Sequence, residues 1–211
     1  SQVSFFVLDE ADRMLDMGFY DDIIKIAKLL PPTCQNIMFS ATMPDKIRLL
    51  ARTILHDPVE VKIAISKPVE AINQKVCHCA ESQKTAVIRG LFKENPSLER
   101  VIIFVSSKKK VKELASSLKS LNLNVAEMHS DLEQVQREKT MVAFRNNHIS
   151  VLVATDIISR GIDIDDISMV INYDVPHDEE DYIHRIGRTA RAGRGGEALT
   201  LVNAKDELSF R

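Results

Sequence analysis

The sequence has no apolar run approaching the roughly 18 to 20 residues of a helical membrane span, so no segment of it is expected to cross a bilayer. Its first residues, SQVSFF, lack a charged region followed by a cleavable apolar stretch, and a secreted form is not expected. Cysteine is scarce. Cys34, Cys77 and Cys79 are an odd number, which speaks against a disulfide framework and for a reducing compartment, the cytoplasm. Cys77-His78-Cys79 lacks the ligand spacing and the second cluster of a zinc site; on a strand its two sulfurs share one face, an ordinary core arrangement. A net charge of −2 excludes a protein that coats nucleic acid by bulk electrostatics. Internal repeats and low-complexity tracts are absent as well. What is present is a 211-residue chain, 45% hydrophobic and 27% charged, expected to be soluble, globular and able to bury one or two modest cores.

Short apolar runs alternate with longer amphipathic stretches, the rhythm of an α/β fold in which helices flank a parallel sheet. Strands are expected over residues 5–8, 36–39, 100–105, 125–128, 151–154, 169–173 and 198–202. Helices are expected over 20–30, 45–54, 85–93, 108–121, 134–145 and 178–186. Pro31-Pro32 ends the first helix, because proline lacks an N–H and restricts the residue before it. Ser66 and Pro68, after a short valine-rich strand, mark a linker over 64–70 between a first unit, 1–63, and a second, 71–211. The first unit offers two or three strands where an open α/β domain usually has about four to six. It therefore reads as truncated, with exposed sheet edges expected to promote self-association. The second has enough elements to fold alone.

Two constellations carry chemistry. In the first unit the apolar strand 5–8 runs straight into Asp9-Glu10-Ala11-Asp12, and ligands of open α/β sheets bind at the carboxyl ends of strands. A carboxylate there can hold the magnesium that bridges nucleotide phosphates, the role assigned to Asp9. A second, Glu10, can orient or deprotonate the attacking water. The bland alternative is a solvated turn whose acids favour a helix N-terminus. Ser40-Ala41-Thr42 follows the next strand in the same position, although its hydroxyls could equally cap the helix starting near Pro44.

In the second unit, residues 184–194 hold four arginines, Arg185, Arg188, Arg191 and Arg194, spaced three apart with no acid among them. Guanidinium forks match phosphate oxygens, and one placed on a transferring phosphoryl group is worth roughly 10³ to 10⁵ in rate. A surface salt-bridge cluster is the alternative. Thr155, after strand 151–154, can take a nucleic-acid phosphate, and Asp163 can accept a bond from a ribose hydroxyl. Gln134 and Arg137, a helical turn apart, form a polar pair suited to a backbone phosphate or simply a solvated face.

The ordered set DEAD at 9–12, SAT at 40–42, ATDIISRGIDI at 154–164 and HRIGRTARAGR at 184–194 resembles the DEAD-box RNA helicases, along nearly the whole chain. The resemblance implies RecA-like domains that act on ATP with Mg2+ and on RNA. It implies that Asp9 and Glu10 serve magnesium and hydrolysis, and that Ser40 and Thr42 couple the ATP site to RNA. Arg188 and Arg191 become arginine fingers, Asp163 a ribose contact, and His184 a link between domains. RNA-backbone contacts then involve Ser106, Ser107, Gln134, Arg137, Thr155 and Gly161. Ser130 stands where the family commonly has glycine, which would alter a tight RNA-facing turn. Ala190 also replaces a common glycine and resembles a bacterial RhlE-like branch. No GxxxxGK[ST] phosphate loop occurs in the chain; in the family it would precede Ser1, so these 211 residues alone are expected to turn over no ATP. A DNA translocase of the same superfamily and a non-catalytic RNA-binding or partner-docking module are the other readings.

Overall fold

The computed structural model describes residues 3–40, 42–62, 72–156, 167–189 and 196–207. The chain divides into two compact units, Ser1–Ala64 and Ile65–Arg211.

In the first unit, strands β1 (Phe5–Leu8) and β2 (Gln35–Met38) pair in parallel, with Leu8 opposite Met38. Helices α1 (Ala11–Asp16), α2 (Tyr20–Lys28) and α3 (Asp45–Ile54) accompany them. Leu8, Ile23, Leu50 and Ile54 form the core, each contributed by a helix or strand whose apolar residues recur on one face. Phe5, Val7 and Phe39 stay exposed. Alternation along β1 explains the exposure of Phe5 and Val7: Phe6 and Leu8 turn toward the helices, and their neighbours turn away. The valine-rich stretch before residue 63 is no strand, contrary to expectation; Val59 and Val61 are 89% and 78% exposed. β-branched residues favour a strand only where a partner and a buried face exist. The linker at 64–70 lies outside the described residues.

The second unit is a six-stranded, all-parallel sheet in the order β3-β8-β7-β4-β6-β5. Its strands are β3 (Ile72–His78), β4 (Val101–Phe104), β5 (Val125–Met128), β6 (Val151–Ala154), β7 (Met169–Asn172) and β8 (Gly196–Val202). Its helices are α4 (Lys84–Glu94), α5 (Lys108–Lys119), α6 (Gln134–Arg145) and α7 (Glu179–Ile186). Strands β4 and β6, and β7 up to its last residue Asn172, are apolar without alternation because both faces are covered. Val101 and Ile103 pack with Ile88 of α4 and Val111, Leu114 and Leu118 of α5. Ile102 and Phe104, pointing the other way, pack with Phe144 of α6 and Ile186 of α7.

Strand β3 was not expected from the sequence. INQKVCH is largely polar because, among the described residues, the strand lies at the sheet edge and pairs with β8 alone, and Asn73 through Val76 are exposed. Within it Cys77, and just after it Cys79, pack against the first of the two cores.

Candidate functional site

In the first unit the site is built where β1 and β2 end. Asp9 follows β1, and its Oδ1 accepts the Glu10 N–H at 2.9 Å. Glu10 takes left-handed backbone angles, φ 50° and ψ 47°. That conformation costs a non-glycine residue about 1–2 kcal/mol and is held by its surroundings, since the next N–H, of Ala11, donates to the Phe39 carbonyl at 3.0 Å. The turn therefore locks the DEAD segment to the strand beside it.

Asp12, which sequence reasoning passed over, ties the two motifs together. It is 6% exposed. Its Oδ2 accepts the Thr42 N–H at 2.7 Å and the Thr42 hydroxyl at 2.9 Å, while its own N–H donates to Ser40 Oγ at 3.3 Å. Ser40 in turn donates to the Thr42 carbonyl at 2.7 Å. Burial pushes the Asp12 carboxyl up, but the hydrogen bonds from Thr42, Arg13 and Ser40 outweigh it and hold the group below the usual aspartate value. Ser40 and Thr42 do not cap α3, which has no side-chain cap. Among the described residues no three His, Cys, Asp or Glu side chains group to hold a metal. An oxygen-seeking ion at Asp9 would rest on one or two carboxylates, which suits a cation that keeps much of its water, such as magnesium.

In the second unit the loops after β4, β6 and β5, three neighbouring strands, carry Ser106 and Ser107, Thr155, and Ser130 with Gln134 and Arg137 beyond it. Ser106 donates its N–H to Asp174 Oδ2 at 2.7 Å. Ser107 caps α5, its Oγ accepting the Lys110 N–H at 3.4 Å. Thr155 N–H donates to the Met128 carbonyl at 3.1 Å, tying the β6 loop to the β5 end. Arg137 Nη2 donates to the Ser130 carbonyl at 3.0 Å, and Gln134 Nε2 donates to Glu138 at 3.0 Å. Arg137 Nε and His129 Nδ1 are buried without a hydrogen-bond partner. Ser130 is not among the residues with positive φ, so the serine enters this turn without left-handed strain.

Arg185 and Arg188, three apart, are used differently. Arg185 is 2% exposed. Its fork grips Asp156 at 2.7 and 2.8 Å, its third nitrogen donates to Asn172 Oδ1 at 3.2 Å and the Asp174 carbonyl at 2.9 Å, and its plane lies 5.1 Å from the Phe104 ring centroid. The run itself holds no acid, but Asp156, remote in sequence, is adjacent to this member in space. Gly187 ends α7. A Cβ there would stand 2.9 Å from the Ile183 carbonyl oxygen, so any side chain before Arg188 would force the backbone to shift. Arg188, half-buried, donates from Nε to the His184 carbonyl at 3.3 Å. Gly161, Asp163, Ala190 and Arg191 lie outside the described residues.

A polar cluster next to Ser106 was also not foreseen. Lys84, 1% exposed, meets Glu81 at 2.9 Å and Asp174 and Asp206 at 3.5 Å each. Lys110 meets Glu81 and Asp174 at 2.7 Å. Burial opposes every charge here, yet the pairing wins: Asp174 and Glu81 are held below, and Lys84 and Lys110 above, their ordinary values. A cleft of about 600 Å³ opens beside it, lined by Ser106, Lys110, Asp174, Pro176, His177 and Asn203 among others. The one sequence signal was an acid, Asp174, just past a buried strand.

Comparison with known proteins is consistent with this geometry. Residues 83–193 match the family described as helicase conserved C-terminal domain, and residues 1–50 match DEAD/DEAH box helicase. The ATP-dependent RNA helicase DeaD of Mycobacterium tuberculosis is 44% identical over 206 residues, covering 98% of this chain and 36% of the relative. The DEAD-box ATP-dependent RNA helicase RhpA of Helicobacter pylori is 45% identical over 197 residues, covering 93% of this chain and 40% of the relative. A structure of S. cerevisiae Dbp5 bound to RNA and ADP BeF3 superimposes with a TM-score of 0.86 at 37% identity, over 99% of this chain and 56% of that one. The chain thus spans little more than a third to just over half the length of these relatives. With its RecA-like parallel sheet and its two matching motif regions, the chain belongs to the DEAD-box helicase family.

Proposed function

We propose that the chain serves an ATP-dependent RNA helicase, in which ATP hydrolysis is stimulated by RNA and coupled to separation or remodelling of short duplexes. The observation that carries this reading is the convergence of Ser106, Ser107, Thr155, Gln134 and Arg137 on the carboxyl ends of three adjacent strands. Hydroxyls, an amide, a guanidinium and loop N–H groups are phosphate-positioning chemistry, suited to gripping a backbone without reading its sequence. Gly161 joins them by resemblance.

On the nucleotide side, Asp9 is the residue proposed to hold Mg2+ through water, and Glu10 the one that orients the attacking water. Bound magnesium supplies neutralisation of charge on the phosphate oxygens. Asp12 keeps the DEAD turn and the Ser40–Thr42 loop as one body, so a shift in either is felt by the other. Ser40 and Thr42 are accordingly proposed coupling residues; by resemblance His184 is a third, Asp163 the ribose contact, and Arg188 and Arg191 the fingers on the transferred phosphoryl group. The proposed boundaries are a first domain to residue 63 and a second from 71. The proposed compartment is the cytoplasm, in keeping with three free cysteines. Self-association through the exposed Phe5, Val7 and Phe39 is proposed for the isolated chain.

Steady-state ATP hydrolysis by the full-length protein, with no nucleic acid, single-stranded RNA or matched DNA, tests the reading. Stimulation by RNA alone is expected, and Arg188→Ala should lower it by about 10³-fold or more while RNA binding persists. Equal stimulation by DNA would favour a translocase, and unchanged hydrolysis in Arg188→Ala would remove the finger assignment.

A further inference from the structure

Helix α5 begins with three lysines and carries a fourth one turn on, at the end where its dipole is already positive. Their surroundings separate them. Lys110 turns inward to Asp174 and Glu81, and Lys109 reaches Glu113 at 3.8 Å in open solvent. Lys108 and Lys112, one turn apart on the same face, both meet a single acid, Asp131, at 2.9 and 3.9 Å. Asp131 belongs to the loop after β5, next to Ser130, whose carbonyl Arg137 holds. Lys108 follows Ser107 directly. This ion triad therefore lies between the loop of Ser106 and Ser107 and the loop leading to Gln134 and Arg137, along the carboxyl ends where the backbone-binding surface is proposed.

All three side chains are about half exposed: 58% for Lys108, 55% for Lys112 and 43% for Asp131. Exposed pairs of this kind contribute little to folding. The Asp131 carboxyl is held below its usual value by the hydrogen bond from Lys108 and the charge of Lys112, partly offset by burial, so it stays ionised and occupied near neutral pH. A carboxylate bridging two ammonium groups presents oxygens much as a phosphodiester would.

We propose that Lys108 and Lys112 are additional RNA-phosphate contacts, and that Asp131 is an intramolecular stand-in for the phosphate, which RNA must displace and which competes for those lysines as RNA leaves. This rests on the RNA-backbone reading given above. Asp131 then tunes affinity downward: a displaced carboxylate regains a solvent cation for the one released from the phosphate, cancelling part of the electrolyte gain that drives binding.

Binding of a fluorescently labelled single-stranded RNA to the full-length protein, followed by anisotropy across salt, tests this. Asp131→Asn should bind more tightly, and its dependence of log affinity on log salt should steepen by about 0.7. Its advantage over the unmodified protein should then grow nearly threefold, about 2.6-fold, as salt falls from about 200 to about 50 mM. In a Lys108→Met/Lys112→Met background Asp131→Asn should have no effect. Glu94→Gln, on α4 near the amino ends of the strands, controls for general charge and should leave affinity within about twofold. Weaker or equal binding by Asp131→Asn, or the same gain from Glu94→Gln, would overturn the proposal while leaving RNA binding intact. Absence of RNA binding in every variant would instead sink the RNA reading, and this proposal with it.

Discussion

Replacing Arg185 by methionine tests whether this arginine is structural, apart from any role for its neighbour Arg188. The substitution keeps an unbranched stem against Phe104 and removes the fork that grips Asp156, Asn172 and the Asp174 carbonyl. Breaking a buried ion pair from one side costs about 3–5 kcal/mol, because the remaining charge is left uncompensated. The Asp156 side chain is 30% exposed and recovers part of its solvation, which places the expected loss near the lower end, about 3 kcal/mol. With a urea dependence of about 2 kcal/mol per M, the unfolding midpoint of the second unit should fall by about 1.5 M. Far-UV circular dichroism through a urea titration measures it. Arg185→Lys should recover only part, since an ammonium cannot form the two parallel bonds. Arg185→Met combined with Asp156→Asn should lose clearly less than the two single losses summed. A midpoint shift for Arg185→Met below about 0.5 M, a loss under about 1 kcal/mol, would refute a structural role for the pair.

The charge cluster around Asp174 should give the second unit a stability plateau between roughly pH 5 and 10. Asp174 and Glu81 have lowered values, so their contribution is full above the ordinary carboxylate range and lost as pH falls through the folded values; Lys84 and Lys110 have raised values, so theirs is full below the ordinary lysine value and lost as pH rises. Urea midpoints measured against pH should drop on both sides, with the acid limb shallower in Asp174→Asn, and a rise in stability on acidification from about pH 5 to 3 would contradict the assignment. The 211-residue chain contains no GxxxxGK[ST] phosphate loop and should hydrolyse ATP at background with or without RNA, so RNA-stimulated turnover by the purified chain would overturn that expectation.

Legibility in the sequence followed burial. Strands 125–128 and 151–154 and helices 45–54 and 134–145 form with the bounds that periodicity predicts, because each has an apolar face or run and a clear terminator. Strand β3 left no such trace: an edge strand satisfies one side of its backbone and buries little, so polar residues serve it as well as apolar ones. Helix α1 was equally silent, at six residues too short to show a period.

The motifs are local strings, and their residue types alone announced phosphate chemistry and pointed to the ends of strands. Which members of a string do which work was not local. HRIGRTARAGR presents Arg185 and Arg188 as equivalents, yet one is sealed under Asp156 and the other stays half-buried past Gly187. Ser107 offers a hydroxyl like that of Ser106, but its oxygen also accepts from the first turn of α5, so only its O–H is there to donate. Asp12 reads as one more acid in a turn until Thr42 folds against it. Residue type and period decide what a segment can bury and what chemistry it can offer. Pairing of charges and hydrogen bonds across the chain falls off within a few ångströms, so only the tertiary structure decided which of those groups are bound to each other and which are left for a ligand.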